Sequence, residues 1–257
     1  MATVTATIAR PNEDRLFVIL AGLCAGIAFT AFAGTYWLQL PAGTFVGSPL
    51  LHLHGLLFSA WTLYFLWQAT LIANRRYANH RTWGLGGIAL ATAMVFTGTA
   101  VAITGLQWRI AHGHAEIGRA FLVVPLSAIL LFAGFVTAAM VNRRRADWHK
   151  RFMLLATVSL LNAAVARFFF LAITGGGPGM RPGLGPPLPP EASLVPGLIT
   201  DSVILIAMLL DWRTRGRPHP AYLWGLGVML VVQIVRAPIG HTASWSAFAD
   251  FLVRFAG

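Results

Sequence analysis

The chain has 257 residues, of which 57% are hydrophobic and only 11% charged, with a mean hydropathy of +0.69 and a net charge of +11. Soluble domains carry about 25% charged residues, so this composition excludes an ordinary water-soluble core and points to an all-helical protein embedded in a lipid bilayer. A single cysteine, Cys24, excludes an intramolecular disulfide and any multi-cysteine metal or iron–sulfur site.

A helix needs about 20 apolar residues to cross a ~30 Å hydrocarbon layer. Seven stretches meet that length, at about 16–39, 49–73, 83–106, 117–141, 152–174, 194–212 and 219–240. The first is too long for a cleaved signal peptide, and the acidic pair Glu13-Asp14 precedes it. The loops alternate in charge. Arg10 and Arg15, then Arg75, Arg76 and Arg81, then Arg143, Arg144, Arg145, Lys150 and Arg151, then Arg213, Arg215 and Arg217 fall on one side. The other side has only Arg109, Arg119, Arg181 and Arg254. Cytoplasmic loops collect arginine and lysine, so the N-terminus is expected inside and the C-terminus outside. The positive charge is thus an orientation device, and no nucleic-acid partner is needed to explain it.

Between spans five and six, Gly175–Pro190 is rich in glycine and proline and is expected to be an irregular outer loop, with a lid as its functional reading. After span seven, Ala243–Ala256 alternates Trp245, Phe248, Phe251, Leu252 and Phe255 with Asp250 and Arg254, the pattern of a short amphipathic helix on the outer surface.

Four residues ill-suited to hydrocarbon lie inside apolar spans: His54, Arg167, Asp201 and Arg236. Polar groups at such positions usually face one another or a cavity. Counting from the span ends puts all four about 6–10 Å below the outer face, with His52 and His241 just above. One shared outer chamber is the sharp expectation. An Arg167–Asp201 ion pair that only locks two helices is the plain one. Imidazole ligates haem iron and guanidinium pairs with propionates. A b-type haem in that chamber would take His54 axially, with His241 or His114 opposite, Arg167 and Arg236 on the propionates, and Asp201 orienting Arg167. The outer histidines His52, His54, His112, His114 and His241 also permit copper or zinc.

On the inner side, His80-Arg81, His149-Lys150-Arg151 and His219 are expected to contact headgroups. His149 and Arg167 are five helical turns apart on one face, and Gln68 continues the face of His54 inward, which allows a track for electrons, protons or a quinone head.

The pattern His54 … Gln68 … His80-Arg81-x-x-Gly84, followed by His149-Lys150-Arg151-Phe152-Met153 and Arg167, resembles a bacterial family of polytopic membrane proteins of unknown function. Its His-basic-basic-x-Met element is also similar to one in small membrane proteins of haem-copper oxidase assembly. The resemblance spans residues 50–170 and implies that His54, Gln68, His80, Arg81, Gly84, His149, Met153 and Arg167 occupy its motif positions. It implies no mechanism. The chain has no P-loop, no Gly-x-Ser-x-Gly and no His-Glu-x-x-His. Lys150 is its only lysine, so a retinal Schiff base in span seven is excluded. The expected function is haem binding for electron transfer or respiratory-oxidase biogenesis in the bacterial inner membrane, with a respiratory complex or a quinone as partner. A non-catalytic assembly protein and a metal or small-solute carrier are the alternatives.

Overall fold

A computed structural model of the chain describes residues 11–183 and 188–256. Arg10 and residues 184–187 of the glycine- and proline-rich loop lie outside the described residues. The described elements are helical, with no strand. They are α1 (Pro11–Phe32, extended by a wider π turn over Ala33–Trp37), α2 (Pro49–Ala73), α3 (Tyr77–Ala111), α4 (Ala115–Phe121), α5 (Val123–Val141), α6 (Ala146–Leu160), α7 (Asn162–Thr174), α8 (Leu194–Arg215), α9 (Pro220–Gly240) and α10 (Ala243–Phe255). A 3₁₀ turn, Pro190–Ser193, precedes α8.

Seven segments are long and apolar enough to cross a membrane: Glu13–Trp37, Pro49–Ala73, Tyr77–Ala111, Ala115–Val141, Ala146–Thr174, Pro190–Arg215 and Pro220–Gly240. They match the seven expected spans, but most run further outward. Hydropathy stops at the first run of polar side chains, whereas the backbone still needs its hydrogen bonds in the interfacial layer. The third segment is the extreme case. Its 35 residues reach well past the hydrocarbon thickness.

Two spans are made of two helices each. Pro125 has no N–H to offer the Phe121 carbonyl, and the fourth span breaks at Leu122 between α4 and α5. The fifth span tightens at Leu161, whose N–H bonds back to the Val158 carbonyl at 2.9 Å.

That fifth span is the hub. α6 packs on α1, α5, α8 and α9, while α7 packs on α1 and α8. It is the most enclosed of the seven, with 50% of its apolar window buried. Leu154, Leu155, Ala156 and Val158 are fully buried, and so are Ala21 and Cys24 of α1. α2 joins the hub through the Trp61 indole N–H, which donates to Thr157 Oγ1 at 3.2 Å. Large apolar side chains elsewhere point outward, among them Leu85, Phe96, Leu130 and Trp224. Lipid is as apolar as leucine, so helix association here depends on close packing rather than on hiding such groups.

Close packing is concentrated at glycines. A Cβ at Gly225 of α9 would lie 2.3 Å from Leu155 Cδ1, and one at Gly240 would lie 2.6 Å from the Ala120 carbonyl oxygen. α10 forms where the aromatic pattern expects a helix. Thr242 caps it, and Arg119 and Trp245 pin it to α4 through the Asp250 carboxylate at 2.7 Å and the Arg119 carbonyl at 2.8 Å.

The Ala120 carbonyl cannot move aside as a side chain tip would. Gly240→Ala is expected to cost about 1–3 kcal/mol of stability, whereas Gly227→Ala, with nothing within 4 Å of the new methyl, costs none. Thermal unfolding of the two purified variants in detergent tests this: equal melting temperatures would contradict the close α4–α9 approach.

Candidate functional site

The polar residues divide between two ends of the bundle. One end, called here the basic end, gathers the start of α1, the start of α6, the end of α8 and the start of α9. The opposite, far end gathers the close of α1, the start of α2 and the close of α7.

At the far end a loop is strapped over the helices. The Gln39 side-chain amide donates to the carbonyls of Gly34 (2.9 Å), Gly177 (3.3 Å) and Met180 (2.8 Å). Arg181 donates from Nε to the Val46 carbonyl. Beneath lie His54 and Arg167. The His54 ring meets Phe58 at 4.0 Å between centroids, and its Nδ1 is buried with no partner. The Arg167 guanidinium sits 3.7 Å over the Phe32 ring and donates to the Ala163 carbonyl at 2.8 Å, while its Nε is unpaired. Arg167 is close enough to feel both His54 and Arg181 electrostatically. Among the described residues, neither arginine has a carboxylate within ion-pair distance.

Asp201 and Arg236 are elsewhere, and this corrects the single-chamber expectation. Asp201 does not orient Arg167. Its Oδ1 accepts from Gln233 Nε2 at 3.2 Å, and Arg236 lies within electrostatic reach. Arg236 donates to the Ser193 carbonyl at 2.7 Å, which Asn162 Nδ2 also approaches at 3.3 Å. Asp201, Gln233 and Arg236 are all buried between α8 and α9, where Gly197 leaves room for the Gln233 amide. Equal depth fixed the layer but not the rotation. α8 turns Asp201 toward α9, and α7 turns Arg167 toward α1.

The outer histidines are also dispersed. His52 bonds the Tyr36 hydroxyl at 3.2 Å. His112 stacks on Trp108 at 3.9 Å, His114 precedes α4, and His241 pairs with Glu191 at 2.8 Å on the exposed surface. Neither His114 nor His241 makes a ring contact with His54. Among the described residues, no three His, Cys, Asp or Glu side chains gather as a metal-ligand set.

The basic end holds the densest network, and headgroup contact does not describe it. Arg151 is fully buried. It donates to both Asp211 oxygens (Nε at 3.0 Å, Nη2 at 2.6 Å), to Glu13 at 2.8 Å and to the Asp147 carbonyl at 2.8 Å. Lys150 and Arg215 reach the same Glu13 oxygen at 2.9 and 3.3 Å. His219 completes the ring. The Ala221 N–H donates to its Nδ1 at 3.1 Å, so the proton sits on Nε2, which faces Asp147 Oδ2 at 3.1 Å. Burial, reinforced by Arg151, lowers the His219 pKa despite Asp147. Asp211, an acid at the foot of an apolar span, and Glu13 were the sequence signals for this network.

The motif positions of the second and third helices meet nearby. Gln68 Nε2 donates to the Tyr64 hydroxyl at 3.0 Å, which donates to the Trp83 carbonyl at 2.6 Å. His80 has its Nδ1 buried and unpaired. The His149 ring lies 6.2 Å away, with Nδ1 on the Ala139 carbonyl at 2.9 Å. Arg81 is exposed, Gly84 has open space beside it, and Met153 packs against the core.

No protein-family model, curated protein or solved structure matches this chain.

Removing one member of a buried ion pair strands the other, at about 3–5 kcal/mol. Asp211→Leu is expected to lose that much in denaturant unfolding, and Arg151→Met added to it recovers most of the loss; no recovery contradicts the pairing. His219 adds a pH dependence. Because its folded pKa lies below the unfolded value, the unfolded chain takes the proton first, and stability falls as pH drops below about 6.5. Melting curves of wild type and His219→Asn should converge as pH is lowered; parallel curves contradict the assigned Nε2–H form.

Proposed function

We propose that this is a multi-pass protein of the bacterial inner membrane that holds a b-type haem under the far-end loop, for electron transfer or respiratory-oxidase biogenesis. The basic loops support an orientation with the N-terminus in the cytoplasm, in which His54 would lie in the outer half of the bilayer. One observation carries the reading. His54 offers an unpaired buried ring nitrogen near Arg167, which in turn lies near Arg181, and neither arginine has a carboxylate partner. A buried cation without a counter-ion is costly, so this cluster favours a ligand that brings acid groups. A haem suits both halves of this set, since its iron takes imidazole and its propionates take guanidinium. His54 would hold the haem iron, and Arg167 and Arg181 would be the cations available to its propionates. Arg236 and Asp201 belong to the α8–α9 contact in this reading, and His241 and His114 are not part of the site.

The basic-end network favours a second reading, a non-catalytic assembly protein whose ion pairs lock helices while its surface meets a respiratory complex. The dispersed outer histidines lend nothing to a metal or solute carrier loaded there.

The two readings separate in a reduced-minus-oxidised absorption spectrum of protein expressed with haem available. The haem reading expects a band that His54→Ala abolishes. Arg167→Gln should weaken retention by roughly tenfold or more, the worth of a charge-assisted hydrogen bond. A spectrum without a haem band sinks this reading and leaves the assembly protein.

A further inference from the structure

We infer that His80 and His149 form a binding site for one transition-metal ion of the zinc or copper class, at the basic end and separate from the His54 chamber. A carbonyl oxygen only accepts, so the His149 Nδ1 that faces the Ala139 carbonyl carries its hydrogen, and Nε2 is left as a bare lone pair. On His80 the Nδ1 is buried with no hydrogen-bond partner. A ring N–H held by a backbone carbonyl is the usual way a metal-ligating imidazole is oriented.

The spacing agrees. Two imidazoles bound to one ion at roughly 2.0–2.1 Å have ring centroids about 5–6.5 Å apart, depending on the angle at the metal. The observed separation is 6.2 Å, with the rings nearly perpendicular at 82°. Gln68 adds a candidate oxygen ligand. The Tyr64 hydroxyl spends its hydrogen on the Trp83 carbonyl, so it must accept from the Gln68 amide nitrogen. That assignment leaves Gln68 Oε1 as an acceptor, and it is buried without a partner on a side chain 7% exposed. The bare His149 Nε2, with the unpartnered His80 Nδ1 and Gln68 Oε1 near it, suits a cation. Imidazole nitrogen selects zinc or copper over magnesium or calcium, and solvent would complete the coordination.

The three residues come from α2, α3 and α6, so an ion here would tie together three helices. The inference does not rest on the haem reading, and its test uses a different probe. Apo protein, full length in detergent, is titrated with Zn²⁺ and separately with Cu⁺ against a chromophoric chelator. The expected result is one tight equivalent of at least one of these ions. It weakens by on the order of 10–100-fold in His80→Gln or His149→Gln, and it is unchanged when the surface histidines His112 and His241 are replaced by Ala. Should either variant fail to fold, X-ray absorption on metal-loaded wild type with His112 and His241 replaced decides: two imidazoles in a nitrogen and oxygen shell support the site. No tight equivalent, unchanged affinity in folded His80→Gln and His149→Gln, or a shell with fewer than two imidazoles overturns it and leaves water between the rings.

Discussion

The guanidinium of Arg151 is enclosed by three helices, and its charge is tolerable only because Asp211 and Glu13 meet it there. This contact sets the rotation of α6, and much else follows from that rotation. Residues two apart on a helix point about 200° apart. With Arg151 turned toward α1 and α8, His149 must turn the other way, toward α5 and α3, where it finds Ala139 and His80. The same setting leaves Leu155 against Gly225 of α9 and Thr157 against Trp61 of α2. A buried ion pair is weak evidence for stability but a good device for fixing register, and in a bilayer, where apolar contacts with lipid and protein are nearly equal, register is the harder thing to specify.

The two ends of the bundle handle charge in opposite ways. At the basic end each buried cation has an acid within reach, and the network is closed to within a few donors. At the far end Arg167 rests on the face of Phe32 and Arg181 on a main-chain carbonyl, so the cations are placed but not neutralised. Aromatic faces and carbonyls stabilise a guanidinium without cancelling its charge. The closed end behaves as a frame, and the open end is where an acidic group from outside has something to gain.

The spans were readable because apolar length is a local property of the chain. So was the distance of His54, Arg167, Asp201 and Arg236 from their helix ends, since rise per residue is fixed. Their partners were not readable, because azimuth depends on how helices pack. Asp201 and Arg167 count to similar distances from their span ends yet face different neighbours, and no count along the chain distinguishes them. The basic end was misread for another reason. Positive residues near span ends ordinarily extend to headgroups, and Lys150 and Arg151 fit that pattern until Glu13, from the other end of the sequence, and Asp211 are brought beside them. Of the motif positions, Gln68, His80 and His149 proved to be neighbours although they come from three helices.

Cys24 sits with its side chain sealed inside the core, against the hub helix and out of contact with lipid or water. Its enclosure makes the folded protein behave chemically as though it had no thiol. Reagents that seek sulfur would find it only in molecules whose α1 has parted from the hub. Any cysteine introduced in a loop would report alone on the side of the membrane it occupies, with the native residue serving as an internal witness that the bundle stayed closed.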